Sequence, residues 1–147
     1  MLKKFLSILL IFFCSETFAA SPYPKYLQND KNLLIIAGHQ GVAWYLKLDS
    51  VQVECCRLPF HVASVKLVNA VAKDCYAENF DMLPQNEELE LTFYYDAENS
   101  KMYTLEKNGV LNFVNPEGCY AESGITLPVG RYLWQEIFAK RGLVANF

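Results

Sequence analysis

Residues 88–95, ELELTFYY, alternate apolar and polar side chains without a break, and this pattern constrains the fold more than any other in the chain. Successive side chains of a β-strand point to opposite faces, so the stretch predicts one apolar and one polar side. A strand of this kind belongs to an antiparallel sheet that packs one face on a hydrophobic core. The apolar side carries Leu89, Leu91, Phe93 and Tyr95, and the polar side carries Glu88, Glu90, Thr92 and Tyr94.

The residues after this strand predict a three-stranded meander over residues 88–114. A polar turn, DAENS, leads into the β-type run KMYTLEK at 101–107, and VLNFV follows at 110–114. Asn108 and Gly109 lie between the last two runs and suit a tight type I′ hairpin, which needs positive φ at both central residues. The three strands should therefore pair in sequence order.

Three earlier segments also have β-type patterns: LLIIA at 33–37, VAWYLKL at 42–48 and FHVASVKLVNA at 60–70. The first two are separated by GHQG, in which Gly38, His39 and Gly41 predict a turn, because glycine reaches positive φ at no steric cost. We therefore expect a hairpin there, with His39 at its tip.

The hydrophobic period changes to that of a helix after Thr126. Pro128 suits a first helical turn and Gly142 a helix end. An antiparallel sheet of about five or six strands with one C-terminal helix packed on one face, an α+β fold, is the prediction. The opposite face should lack a cover unless a partner supplies it. The apolar stripe of the helix consists of Leu133, Trp134, Ile137 and Phe138.

The first residues have the layout of a secretory signal peptide. Lys3 and Lys4 precede an apolar core at 5–13, and cleavage is expected after Ala19. Cys14 does not suit a lipoprotein signal, because phenylalanines rather than a small residue precede it. We predict a signal peptide at 1–19, a polar leader arm at 20–32 and a single α+β domain at 33–147.

Charge and hydropathy argue against two classes of partner. Without the predicted signal peptide, the totals of 13 basic and 16 acidic residues lose Lys3, Lys4 and Glu16, which leaves a net charge of −4. No basic cluster remains that could neutralise a run of phosphates, which disfavours nucleic-acid binding. No remaining apolar segment reaches the ~20 residues of a transmembrane helix. We therefore expect an exported protein that is periplasmic, surface-associated or secreted.

Four cysteines follow the predicted signal peptide: Cys55, Cys56, Cys75 and Cys119. In an oxidising compartment an even number predicts two disulfides. Neighbouring cysteines seldom bond to each other, so each of the adjacent pair is expected to bond one of the other two, in an order that stays open. A zinc site is the alternative, but no CxxC or HxxxH pair is present to preorganise it.

The two histidines are the first candidates for chemistry. His39 has no carboxylate, cysteine or second histidine at ligand spacing, so a turn is a better interpretation than a base or a metal ligand. His61 follows Cys55 and Cys56 closely, but oxidised thiols are not nucleophiles, which favours a structural histidine. The alternative is a small periplasmic enzyme or ligand-binding protein that uses His39.

The remaining polar motifs predict no catalytic residue, no metal ligand and no cofactor. Asp49 and Ser50 lack a GxSxG elbow or a recognisable triad and suit a turn. Glu87, Glu88 and Glu90 could suggest an acid–base or calcium cluster. However, the last two share the polar side of a strand, where solvated carboxylates are ordinary.

The polar side of the sheet is the candidate for protein contact. Tyrosine contributes both a large contact area and a hydroxyl, so a tyrosine-bearing surface suits protein binding or self-association. A surface that merely tolerates tyrosine is the alternative. The predicted binding face consists of Tyr45, Lys47, Thr92 and Tyr94.

Four stretches together resemble a family of small, uncharacterised exported bacterial proteins: AGHQGVAWYLKLDS, FYYDAENSKMY, NPEGCYAESG and LPVGRYLW. The family is similar in its AGHxGxAWY opening, YxW or YYD strand, NPxGSWAExG-like loop and PxG helix start, and the resemblance spans residues 34–140. Cys119 stands where the family has serine, so the cysteines, with the disulfides predicted from them, are expected to be an addition to the family pattern. More distantly, the layout resembles the protein E type surface adhesins, which implies adhesion or ligand binding by analogy of fold alone.

These features predict an exported, non-enzymatic protein-binding or adhesin-like module at the cell envelope or surface. Such a module acts by contact through the polar side of its sheet and needs no cofactor. A partner protein or a second copy of the chain is expected to bind there.

Overall fold

The computed structural model describes residues 21–57, 59–140 and 142, and the side chains of residues 55–57 lie outside the described part. The predicted signal peptide at 1–19 also lies outside it.

Seven strands come first along the described chain: β1 (Leu33–His39), β2 (Val42–Lys47), β3 (Gln52–Arg57), β4 (Phe60–Ala72), β5 (Met82–Asp96), β6 (Lys101–Leu105) and β7 (Leu111–Val114). Two α-helices follow, α1 (Tyr120–Ser123) and α2 (Thr126–Tyr132), and then a π-helical segment, Leu133–Ala139.

The strands form one antiparallel sheet in the order β1, β2, β4, β5, β6, β7, with β3 beside β2 on the same edge of β4. A 3-10 turn at Leu48–Ser50 carries the chain from β2 to β3. Ser50 holds this turn in place, because its hydroxyl donates to the Lys47 carbonyl and accepts from the Lys66 N–H. The α+β class and the predicted meander of β5, β6 and β7 are confirmed.

The sequence pattern missed β3 and the first half of β5. In β3, only Gln52, Val53 and Glu54 alternate between polar and apolar, and a register shift between Val53 and Cys55 ends the alternation that marks a strand. β5 begins at Met82 rather than near residue 88, because its first half is polar and mostly exposed. The described residues therefore contain seven strands, where about five or six were expected.

The sheet carries a separate hydrophobic cluster on each of its two faces. We call the side of Val65 and Phe93 the first face and the side of Tyr45 and Val68 the second face. The first-face cluster is continuous with the C-terminal helical region. Five side chains of that region are buried in it: Leu127, Val129, Leu133, Trp134 and Phe138.

Gly130 is the point of closest approach between α2 and the sheet. The Tyr95 hydroxyl donates a 2.8 Å hydrogen bond to the Gly130 carbonyl. A Cβ at position 130 would overlap the Met102 thioether and lie 2.9 Å from the Phe93 ring. Only glycine lets α2 come this close to β5 and β6, so a single residue sets how tightly the helical region sits.

Residues 21–30, which we call the arm, cover part of the second face. Leu27 in the arm is 1 % exposed and belongs to the second-face cluster. Tyr23 packs edge-on against Phe80, with ring centroids 4.9 Å apart. The predicted leader arm thus packs on the sheet over residues 21–30. Apolar side chains within this polar segment contact β1, β2 and the start of β5, so this part of the second face is covered.

The two hairpin turns use glycine differently. Gln40 and Gly41 join β1 to β2 with φ values of 49° and 79°, as a type I′ turn requires. Between β6 and β7, Gly109 alone has a positive φ, 83°, and its N–H bonds to the Glu106 carbonyl. The predicted type I′ turn at this second hairpin is wrong, because the backbone of Asn108 does not have the positive φ that this turn needs. The Asn108 side chain instead accepts a hydrogen bond from the N–H of residue 110.

Candidate functional site

His39 is the exposed last residue of β1, beside the Gln40 and Gly41 turn. Among the described residues, no group of three or more His, Cys, Asp and Glu side chains could hold a metal ion. A base or a ligand needs such partners within hydrogen-bond reach. The cavity next to His39 has a volume of about 360 Å³ and no carboxylate or thiol in its lining, which consists of Ile36, Ala37, Gly38, His39, Tyr120 and Pro128.

The glycines of the GHQG segment make room for neighbouring side chains. A Cβ on Gly38 would lie 2.8 Å from the Tyr23 ring, and the Tyr23 hydroxyl accepts a 2.9 Å hydrogen bond from the Gly41 N–H. A Cβ on Gly41 would also lie 3.1 Å from that of Cys75. The segment is thus both the turn between β1 and β2 and the surface on which Tyr23 of the arm packs.

Tyr45 is fully buried, so its assignment to an exposed binding face is wrong. Its hydroxyl donates a 3.2 Å hydrogen bond to the Pro24 carbonyl of the arm. Burial, and secondarily the nearby Tyr23, raises the pKa of Tyr45 to about 12. Alternation indicated the correct side of β2, but it carried no information about the segment that covers that side.

The other three predicted binding residues, Lys47, Thr92 and Tyr94, are all partly exposed on the second face. Thr92 and Tyr94 are neighbours on β5, and the Thr92 hydroxyl lies 2.9 Å from the Ser64 hydroxyl. Lys47 instead lines a polar cavity of about 260 Å³ between the end of β2 and β3. The structure therefore brings together two of the four predicted residues and leaves Lys47 in a different environment.

A partly exposed aromatic surface, the contact face, extends from Tyr94 across β6 and β7. Strand register places Tyr94 beside Tyr103 and Tyr103 beside Phe113. The Tyr103 and Phe113 rings meet edge to face, with centroids 5.7 Å apart, and Phe113 is 56 % exposed. Sequence reasoning missed both, although the alternation in KMYTL and LNFV was the signal. The contact face consists of Phe60, Tyr94, Tyr103, Leu105, Leu111 and Phe113.

His61 lies in the first-face core. It is 2 % exposed, and its ring centroid is 5.5 Å from that of Phe138. Tyr95 lies opposite His61 on β5, and burial raises the pKa of Tyr95 well above its usual value. This environment is that of a structural histidine.

Cys75 and Cys119 are exposed and carry free thiols. Cys75 lies beside Gly41, at the opposite end of β4 from His61, the strand partner of Cys56. At ~3.3 Å per residue, the two ends of β4 are roughly 30 Å apart, whereas disulfide-bonded Cα atoms are usually about 4.4–6.8 Å apart. The predicted bond from Cys75 to either cysteine of β3 is therefore incompatible with this fold. The Cys119 thiol is also free, so neither predicted disulfide is present in the part of the chain that the structure describes.

A groove of about 680 Å³ opens between the middle of β5, the turn from β6 to β7, and α1. Apolar side chains from β5 and β7, among them Leu89, Leu91 and Val114, form part of its lining. Glu106, Lys107 and Glu122 stand at its margin, and all three are exposed. The groove can accommodate apolar side chains beside a margin of two carboxylates and one ammonium group.

Comparisons with known proteins found no family model, no curated protein and no solved structure that matches the chain. No helix within the described ranges is long and apolar enough to cross a membrane. Function is therefore inferred from the geometry of the chain itself.

Proposed function

We propose that the chain is an exported, non-enzymatic protein-binding module, adhesin-like in its action, which works at the cell envelope or surface through the contact face. The observation that carries this proposal is the row formed by Tyr94, Tyr103 and Phe113 across three neighbouring strands. Protein interfaces are enriched in tyrosine and phenylalanine, and exposed apolar patches mark sites of interaction. Binding of this kind needs neither a cofactor nor a metal.

The proposal gives the two faces of the sheet different roles. The C-terminal helical region covers the core of the first face and leaves the groove beside β5 open, and the arm covers the second face over β1 and β2. The rest of the second face includes the contact face, with the exposed charges of Lys66 and Lys101 at its margin. An apolar centre with a charged rim is the usual arrangement at a protein interface.

Export is the second part of the proposal, and the signal-like pattern of residues 1–19 supports it. The alternative, an enzyme or ligand-binding protein that uses His39, is favoured by the cavity beside that residue. Because the lining of this cavity lacks a carboxylate or a thiol, it offers no second catalytic group. We therefore prefer contact to catalysis.

Truncation of the aromatic row tests the contact face. Phe113→Ala and Tyr94→Ala should each weaken self-association or partner capture roughly five- to thirtyfold, the range for interface anchors. Tyr76→Ala is the matched control, because Tyr76 is 94 % exposed and lies in the loop between β4 and β5. Sedimentation velocity measures self-association, and a photo-crosslinking amino acid at position 113 or 76 measures capture of envelope proteins.

The proposal requires that position 113 crosslinks a partner or a second copy and that position 76 does not. Thermal unfolding of Phe113→Ala should stay within about 1 kcal/mol of the parent, since Phe113 is 56 % exposed. If both variants associate and crosslink as Tyr76→Ala does, the contact face is not the binding surface.

A further inference from the structure

We infer that the edge of β5 beyond the end of β6 binds an extended peptide segment that alternates apolar and basic residues. β5 spans Met82–Asp96, but β6 pairs with it only from Thr92 onward. We call residues 88–91 the open edge, because no described residue pairs with them on the β6 side. The open edge adjoins the contact face, because Leu105 and Phe113 also line the groove beside it. It offers unpaired backbone groups, which the contact face does not, so this inference goes beyond the proposed function.

The hydrogen-bond pattern shows which backbone groups the open edge offers. Beside the β6–β7 turn, the Glu106 N–H donates to the carbonyl of residue 110. This bond shows which residues of β6 direct their backbone groups toward β7 and which direct them toward β5. Leu105 therefore directs its backbone toward Thr92 of β5. Glu90 and Glu88 lie two and four residues before Thr92, so each directs its backbone N–H and C=O to the β6 side of β5. No described strand pairs with them there. An added strand can satisfy all of these groups.

Side chains of the added strand would alternate between two environments. Leu89 and Leu91 point to the first face, where they line the groove of about 680 Å³ below α1. Apolar side chains of the peptide therefore enter this groove. The intervening side chains lie on the second face, next to the exposed Glu88 and Glu90. Backbone hydrogen bonds supply affinity in such complexes, and alternate side-chain pockets supply specificity.

Charge selects the occupant. Opposite charges directly across two strands stabilise their pairing, and like charges destabilise it. Lys66 lies opposite Glu90 on the β4 side, and Lys107 lines the groove together with Glu90. Val68 lies opposite Glu88, which leaves the Glu88 carboxylate without a cation across that strand pair. A second copy of the open edge would bring glutamate against glutamate, so charged edges resist self-pairing. The fitting occupant is a basic strand from another protein.

A defined probe tests the inference on the intact chain. The probe is a short, acetylated and amidated peptide that alternates valine and lysine, and its control replaces each lysine with glutamate. Fluorescence anisotropy should show binding of the lysine peptide that weakens with salt, and no binding of the glutamate peptide. The double variant Glu88→Gln, Glu90→Gln should bind the lysine peptide roughly tenfold more weakly. Glu98→Gln, an exposed charge change in the β5–β6 turn, should bind as the parent does.

Hydrogen exchange tests the backbone contacts directly. With the lysine peptide bound, the amides of Glu88 and Glu90 should exchange more slowly, and those of Leu89 and Leu91, which face β4, should not change. Methylation of alternate backbone nitrogens in the peptide should abolish binding in one of the two possible patterns and spare it in the other. Equal binding of the glutamate peptide, unchanged exchange at Glu88 and Glu90, or tolerance of both methylation patterns would each overturn the inference.

The contact face can be tested apart from this site. Tyr94→Ala alters the contact face but none of the residues that line the groove. It should therefore leave the affinity for the lysine peptide unchanged. Loss of the contact-face function with retained peptide binding, or the reverse, separates the two proposals.

Discussion

Replacement of Tyr45 by phenylalanine tests how the arm is held on the second face. The substitution removes the hydroxyl that donates to the Pro24 carbonyl and leaves the buried ring in place. A hydrogen bond of this kind contributes about 1 kcal/mol to stability. At neutral pH, Tyr45→Phe should therefore lower the free energy of unfolding by about that amount.

The difference between the two proteins should disappear at alkaline pH. Burial raises the pKa of Tyr45 from 10.0 to about 12, because the folded state favours the neutral phenol. A raised pKa gives stabilisation that is complete below pH 10 and is lost as the pH rises toward the folded value. At pH 11 the wild type has lost about 1.4 kcal/mol, one pKa unit, and the phenylalanine variant has lost none of it. The two stabilities should therefore be equal just below pH 11.

Urea unfolding followed by circular dichroism, at intervals between pH 7 and pH 11, measures this crossing. Tyr76→Phe is the control, because Tyr76 is 94 % exposed and should show a constant difference from the wild type. A stability difference for Tyr45→Phe that stays constant up to pH 11 would show that the hydroxyl is solvated, and the docking of the arm would be refuted.

Three further substitutions test other parts of the fold. Gly130→Ala should lower the free energy of unfolding in urea by about 1–3 kcal/mol, because the methyl group would overlap the Met102 thioether; unchanged stability would contradict the close approach of α2. Gly41→Ala should cost about 1 kcal/mol in the same assay, because its φ is 79°, and a stabilised variant would exclude the turn geometry. The side-chain hydrogen bond from Asn99 lowers the pKa of Asp96, so its stabilisation is present above pH ~4 and is lost as the pH falls through the folded value. Melting temperatures between pH 5 and pH 2 should therefore fall less steeply for Asp96→Ala, and parallel curves would contradict this.

Local patterns predicted the parts of the fold that pair locally. β5, β6 and β7 follow one another along the chain, so alternation and turn residues were enough to predict the meander. β3 could not be predicted in this way, because its alternation extends over only three residues before the register shift interrupts it. It forms because β4 is long enough to pair with β3 as well as β2 along a single edge. That property belongs to the whole sheet and to no segment of the sequence.

The candidate site shows the same limit. Tyr45 and Tyr94 have equivalent positions in the alternation of their strands, yet the first is buried and the second is partly exposed. The difference arises from the arm, residues 21–30, which precedes both β1 and β2 in the sequence. Its composition is mostly polar, with Tyr23, Tyr26 and Leu27 as its large apolar or aromatic residues. Periodicity predicts the side to which a residue points, but long-range docking decides whether that side meets water.

The position of Phe80 determines when the arm can settle during synthesis. The Phe80 N–H donates to the Pro22 carbonyl, and its ring meets Tyr23, while Met82 is buried in the cluster of Leu27. The earliest described residues thus depend on partners that are synthesised 55 to 58 residues later. A nascent chain keeps residues 21–30 accessible to proteases and chaperones until the start of β5 has emerged, and only then does this arm become part of the folded domain.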